Sequence, residues 1–254
     1  MDIQDKIILI TGASSGIGKA LAVALAKEQC KLVLAARRID LLEELEDKLQ
    51  LTNDQLLILK CDVTKKEEVK TAYESIKQKF GRVDIAILNS GVGYLVTPKN
   101  YNSKFAENTF GVNVLGIVYW VEQLLPDFLS RKEGTIVGVS SLADNRGYSG
   151  SGFYCASKAA VTNYLEGLRV ELKPHGIKVI TVRPGFVKTP MTAQNKFKMP
   201  MLMSPEKAAS KILAGIKKEK RVIQFPLPMV LLTRIVGLLP GRLYEWLAVK
   251  LKIS

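Results

Sequence analysis

Residues 6–10 are a short, nearly continuous apolar run that passes directly into T-G-A-S-S-G-I-G at residues 11–18, and then into an apolar-periodic stretch reaching Gln29. A run apolar along its whole length suits a strand covered on both faces, as in the middle of a parallel sheet. Glycines in the following turn let backbone approach an anion, and free N–H groups at the helix start point at it. Strand, glycine turn and helix in this order predict a pyrophosphate site on the first βα unit of an α/β domain. The glycine spacing is G-x-x-x-G-x-G rather than G-x-G-x-x-G, so the flanking elements matter as much as the glycines.

The alternation continues down the chain. Residues 31–36, 55–60, 83–88, 134–139, 177–182 and 221–225 read as further strands, with helical patterns at 39–50, after C-D-V-T to Phe80, and at 108–130. At 254 residues the chain suits one large domain and is short for two with a linker. The expected fold is a single doubly wound (Rossmann) α/β domain with a largely parallel sheet of about seven strands flanked by helices. Residues 1–225 form its catalytic part, and residues 226–254 an apolar, basic helical extension. Ligands bind such sheets where strands end, near the reversal of strand order.

The end of the second strand bears on the cofactor. An NAD site places an acidic residue there for the ribose 2′-hydroxyl, whereas this chain has Ala36, Arg37 and Arg38. Arginine pairs a 2′-phosphate with a charge-assisted fork, which predicts NADP(H). The alternative is two solvated arginines opening the next helix.

Tyr154 and Lys158 stand four apart at the start of a run carrying Ala159, Ala160, Leu165 and Leu168, so on a helix they share a face. A free phenol titrates near ~10, and an adjacent ammonium lowers it by roughly 1–3 units, making the pair a candidate acid/base. A cation in the first turns of a helix sits badly against the macrodipole, and no carboxylate lies three or four residues from Lys158. Local rules broken without a visible gain mark function.

Composition excludes several alternatives. Cys30, Cys61, Cys155 and His175 are scattered, which argues against a disulfide framework and a metal site and fits a reducing cytoplasm. No charged-then-apolar leader precedes the first strand. The net charge of +13 is uneven: residues 186–254 hold 13 Lys/Arg against 3 Asp/Glu, leaving +3 for residues 1–185. No helix-turn-helix, zinc or aromatic-platform pattern accompanies it, so nucleic acid is not an expected partner.

Taken together, T-G-A-S-S-G-I-G, C-D-V, N-S-G, the V-N-V asparagine, Ser141 thirteen before the tyrosine, Y-C-A-S-K and R-P-G-F-V-K-T-P resemble the short-chain dehydrogenase/reductase family across about residues 5–191. The resemblance implies Tyr154 as general acid, Lys158 tuning it and holding the nicotinamide ribose, Ser141 on the substrate oxygen, and Asn113 holding a water that connects Lys158 to solvent. It implies Gly12, Ser14, Ser15, Gly16, Ile17 and Gly18 around the pyrophosphate, and Arg37 and Arg38 at the 2′-phosphate. Asp62 and Val63 would meet the adenine, Asn89 and Gly91 the nicotinamide ribose, and Pro184, Gly185, Val187 and Thr189 the nicotinamide. Leu88 stands where the family has a first asparagine of N-N-A-G, which puts the bracing of that strand end in question. The implied activity is an NADP(H)-dependent carbonyl reductase or alcohol dehydrogenase, in a dimer or tetramer. The alternatives from other classes are a non-catalytic NADP(H)-sensing protein and a membrane-associated interaction module.

Beyond Thr189 the resemblance thins. Residues 190–203, with Met191, Met199, Met201, Met203 and Phe197, read either as an apolar lid over a lipophilic substrate or as a loop or subunit contact using Met as filler. The last 29 residues are apolar yet carry Arg234, Arg242, Lys250 and Lys252 beside Tyr244 and Trp246. A helix over residues 229–239 would be about 16 Å long, too short for a ~30 Å bilayer core. It suits contact with a membrane surface, and equally packing onto the protein.

Overall fold

The computed structural model describes residues 1–195 and 198–250; Phe197 of the expected lid and Lys252 of the tail lie outside them. Seven parallel strands form one sheet: β1 (Ile7–Thr11), β2 (Lys31–Ala36), β3 (Leu56–Lys60), β4 (Ile85–Leu88), β5 (Gly134–Val139), β6 (Ile177–Pro184) and β7 (Val222–Phe225), in the order β3-β2-β1-β4-β5-β6-β7. The order reverses between β1 and β4, where Ile8, Leu9 and Ile10 pair with Ile85, Ala86 and Ile87.

Side chains alternate across the strands, and both faces are covered. Ile8 and Ile10 join a core with Leu21, Leu25, Leu42 and Ile212, from α1 (Gly16–Leu25), α2 (Ile39–Leu49) and α7 (Pro205–Lys217). Ile7 and Leu9 join the opposite core with Val69, Trp120, Phe128 and Leu165, from α3 (Lys66–Phe80), α5 (Gly116–Arg131) and α6 (Gly152–Leu172). Two buried faces explain why the central strands read as unbroken apolar runs.

Three expectations are corrected. The first helix stops at Leu25 rather than Gln29. The single helix expected at 108–130 is α4 (Ser103–Phe110), a π turn at Gly111–Leu115, and α5. The extra residue in that turn is held from outside the helix: the Asn113 amide bonds both the N–H and the C=O of Val92. The helix expected at 229–239 begins earlier, as α8 (Leu227–Leu238), with Pro228 admitted in its first turn, where no intrahelical N–H bond is lost. It is followed by α9 (Gly241–Lys250). Among the described residues no helix is long and apolar enough to cross a membrane.

Candidate active site

At the sheet's reversal point β1 ends in the glycine turn. Gly12 holds φ +66°, and a Cβ on Gly18 would lie 2.4 Å from the Gly12 carbonyl oxygen, so neither position accepts a side chain without strain. Thr11 Oγ1 accepts from the Asn89 and Ser90 amides at 3.0 and 3.1 Å, and Asn89 Nδ2 donates to the Thr11 carbonyl at 3.0 Å. These bonds brace the end of β4 across to β1. Leu88, at the position in question, is buried in the core and takes no part in the brace through its side chain. Helix α1 opens with Ser15 as an uncapped N-cap and no acidic residue in its first turn, a dipole end suited to an anion.

A cleft of about 510 Å³ runs along these strand ends, lined by Gly12, Ser14, Ser15, Gly16 and Ile17 at the turn, and by Arg37, Arg38 and Val63 at one end. Asn89, Gly91, Ser141, Tyr154 and Lys158 line its middle, with Pro184, Gly185, Val187 and Thr189 opposite. Three cations and no carboxylate line it among the described residues. Arg38 Nη2 donates to both Ser14 Oγ and Ser15 Oγ at 3.1 Å, which fixes its guanidinium over the turn. Arg37 is freer, half exposed, with Asp62 at 3.9 Å. Three expected site residues do not line the cleft. Gly18 is buried beneath the turn; Asn113 is fully buried; and the Asp62 carboxylate accepts from Thr64 N and Oγ1 at 3.0 and 2.8 Å, leaving Cys61 and Val63 as the wall.

The middle of this cleft holds the proposed acid/base group. Helix α6 carries Tyr154 and Lys158 in its first two turns, with the Lys158 ammonium nitrogen 5.8 Å from the Tyr154 ring centroid. Lys158 is buried and donates to the Val139 carbonyl at 2.9 Å. Burial drops its pKa from 10.5 to about 8, because the charged form loses water. The sequence reading had the ammonium pull the phenol below its ordinary value. Instead burial pushes the Tyr154 phenol up, and the hydrogen bond with the Ser141 hydroxyl only partly offsets this. Tyr154 therefore holds its proton at neutral pH.

Several residues that sequence reading missed position this group. Asn113 Nδ2 donates to Ser157 Oγ at 2.9 Å, and Ser157 Oγ donates to the Tyr154 carbonyl at 2.7 Å. Behind Lys158, Ser140 Oγ donates to the Lys158 carbonyl at 2.8 Å and pairs with Thr162 Oγ1 at 2.7 Å. Thr162 donates to Asp144, which also takes Arg183 Nη2 at 2.5 Å. Arg183 stands in R-P-G and Asp144 three residues after Ser141, but nothing in their spacing shows that they meet. A Cβ on Gly93 would lie 3.1 Å from the Tyr154 ring, so a side chain there would press on the ring and shift it by a few tenths of an ångström.

A second cavity, of about 650 Å³, meets the first at Tyr154 and Ser141. Its walls include Leu95, Phe105, Leu142, Phe186, Met191 and Met229. Of the four methionines of the expected lid, only Met191 lines either cavity. Met201 is exposed, and Met203 is tied by main-chain bonds to Phe186 and Lys188 at 2.9 Å, which gives it a place in the body of the fold. Burial also drives the Cys61 thiol to about 12, so no thiolate nucleophile forms there at neutral pH.

A seven-stranded parallel sheet with a glycine turn at its reversal point is a Rossmann-type nucleotide-binding architecture. Residues 6–199 match the family model for short chain dehydrogenases, and the chain belongs to that family of oxidoreductases, which use nicotinamide cofactors. It is 35% identical over 244 residues, 96% of each chain, to an uncharacterized oxidoreductase of Myxococcus xanthus (strain DK1622). Among solved structures it is similar to 3-ketoacyl-(acyl-carrier-protein) reductase from Brucella melitensis complexed with NADH, at 27% identity and TM-score 0.79, over 88% of this chain and 96% of that one. A short-chain dehydrogenase from Sphingobium yanoikuyae in complex with NADPH is similar at 26% identity and TM-score 0.79, over 87% and 88%.

Proposed function

We propose that this protein is an NADP(H)-dependent carbonyl reductase or alcohol dehydrogenase acting on a lipophilic ketone, aldehyde or secondary alcohol. The observation that carries the reading is a proton-holding Tyr154 at the junction of an anion-binding cleft and an apolar cavity. The cleft fits a nicotinamide dinucleotide by the chemistry of its lining: glycine backbone at a helix start, arginines at the far end, and no acid among the described lining residues. Relatives bind NADH and NADPH alike, so likeness does not choose between them. Arg38, already oriented over the turn, favours the phosphorylated form by matching a phosphate fork.

When bound, the reduced nicotinamide supplies the hydride. Tyr154 supplies the proton, passing it from Oη to the substrate oxygen as negative charge develops there. Ser141, hydrogen-bonded to that phenol, would hold the same oxygen. Lys158, with its pKa near 8, is mostly cationic at neutral pH and offsets the phenolate left behind. One hydride and one proton turn the carbonyl into an alcohol. The apolar second cavity excludes water from the reacting carbonyl and favours apolar substrates.

Substituting Tyr154→Phe removes the proton donor and keeps the ring. Carbonyl reduction followed by NADPH absorbance should fall at least about a hundredfold, while NADPH affinity by fluorescence stays within a few-fold. Undiminished turnover in the variant sinks the assignment. A parent protein that reduces no member of a sterol, fatty-acyl and aldehyde panel favours nucleotide sensing instead.

A further inference from the structure

Helix α8 closes one side of the apolar cavity with Met229, Leu232 and Thr233 and turns the rest of its surface outward. Leu227, Leu231, Leu232, Ile235 and Leu238 are all more than half exposed, Leu238 at 86%. The next helix continues the surface with Leu243, Trp246 and Val249. An apolar face of this extent seldom stays bare in water. The face is preformed: Arg146 donates to the carbonyls of Val236, Gly237 and Leu239, and its guanidinium lies 5.0 Å from the Tyr244 ring centroid. Tyr244 Oη in turn donates to the Gly147 carbonyl at 2.6 Å.

Charge decides what covers it. Arg234, Arg242 and Lys250 are exposed on these two helices against Glu245 alone. On a helical projection Arg234 flanks the arc of Leu227, Leu231, Ile235 and Leu238. A second copy docked about a twofold axis on the same face would bring these cations together, whereas an anionic lipid surface pairs them. An in-plane pose is also the one the lengths allow, since α8 has 12 residues, about 18 Å. We infer that the outward face of α8 and α9 docks on an anionic bilayer surface, and sets the cavity rim at Leu232 against the lipid. That the substrate then enters from the bilayer rests on the function proposed above; the docking itself does not.

The test uses the full chain with vesicles of phosphatidylcholine alone or mixed with phosphatidylglycerol, read by co-sedimentation. The protein should pellet with the anionic vesicles, stay in solution with the neutral ones, and be released by high salt. Leu231→Glu with Ile235→Glu, both on the water-facing surface, should abolish pelleting while the circular-dichroism melting midpoint stays that of the parent. Arg234→Gln with Arg242→Gln should weaken it about 30-fold, each cation near a membrane being worth a factor of about five. Equal binding to neutral vesicles, or none to either, overturns the inference. So does a dimer in light scattering that the double Glu variant splits, which would give the face to a second copy. Vesicle binding without turnover would leave docking standing and remove the proposed reaction.

Discussion

Burying an amine destabilises the fold, and Lys158 shows by how much. Its pKa is 10.5 when free and about 8 in the folded chain. Between those values the unfolded chain binds the proton that the native chain refuses, so stability rises with pH across that window. Below about pH 8 the penalty is fully present and is on the order of 3 kcal/mol. The same residue is cationic in the working pH range, where its charge can offset a phenolate. Lys158→Met should therefore lose activity yet gain about 1–3 kcal/mol at pH 7, reduced by loss of the hydrogen bond to the Val139 carbonyl. Urea denaturation of parent and variant at pH 7 and pH 10 checks this. The gap should close as pH rises; a gap that is absent at pH 7, or independent of pH, removes the buried-cation account. By the same proton balance, carbonyl reduction should fall as pH rises through about 8.

At the level of elements, the π turn at Gly111–Leu115 does for Asn113 what a regular helix would not: it gives one residue off the helical register, aimed at Val92 and Ser157. Asn113→Ala removes the partner of both the Val92 N–H and its C=O. An unpaired group costs about 1–3 kcal/mol when fully buried; Val92 is part-buried at the cleft wall, so a total loss of about 1–3 kcal/mol is expected in urea denaturation. A loss under about 1 kcal/mol would mean that the turn holds itself. This element also marks where sequence reading stops. The strands were legible to within two residues because a sheet buried on both faces writes unbroken apolar runs such as Ile8–Leu9–Ile10. Tyr154 and Lys158 were legible through their shared helix face, and Asn113 only through resemblance. The π turn was not, since one added residue leaves the apolar period of Ile117, Trp120, Val121 and Leu124 intact. Nor were the Ser140–Thr162–Asp144–Arg183 contacts, which join residues up to 39 apart in the chain by pairing rather than by pattern. The pull of Lys158 on Tyr154 was misjudged because spacing reports proximity and not burial.

Across the whole molecule, charge is distributed for capturing anions. The chain carries +13, and its cleft presents Arg37, Arg38 and Lys158 without a lining carboxylate among the described residues. A dinucleotide with a 2′-phosphate has more charge to steer than one without, and exposed cations act over a Debye length of about 10 Å at 0.1 M salt. Stopped-flow fluorescence should therefore show association slowing with ionic strength for both nucleotides, more steeply for NADPH than for NADH. On the proposed NADP(H) reading Arg38 supplies the short-range part of the preference: Ser14 and Ser15 hold its guanidinium at 3.1 Å, so a 2′-phosphate would meet it with little ordering left to do. Losing one charge-assisted bond of this kind costs about 1.5–3 kcal/mol, or roughly 10- to 100-fold. Arg38→Ser should weaken NADPH by that factor and leave NADH within about twofold, whereas Arg37→Ser, on a half-exposed side chain, should act mainly on the salt-dependent association rate. Equal losses for both nucleotides would make Arg38 a brace of the glycine turn rather than a phosphate ligand. The NADP(H) preference would then have to rest on Arg37 alone.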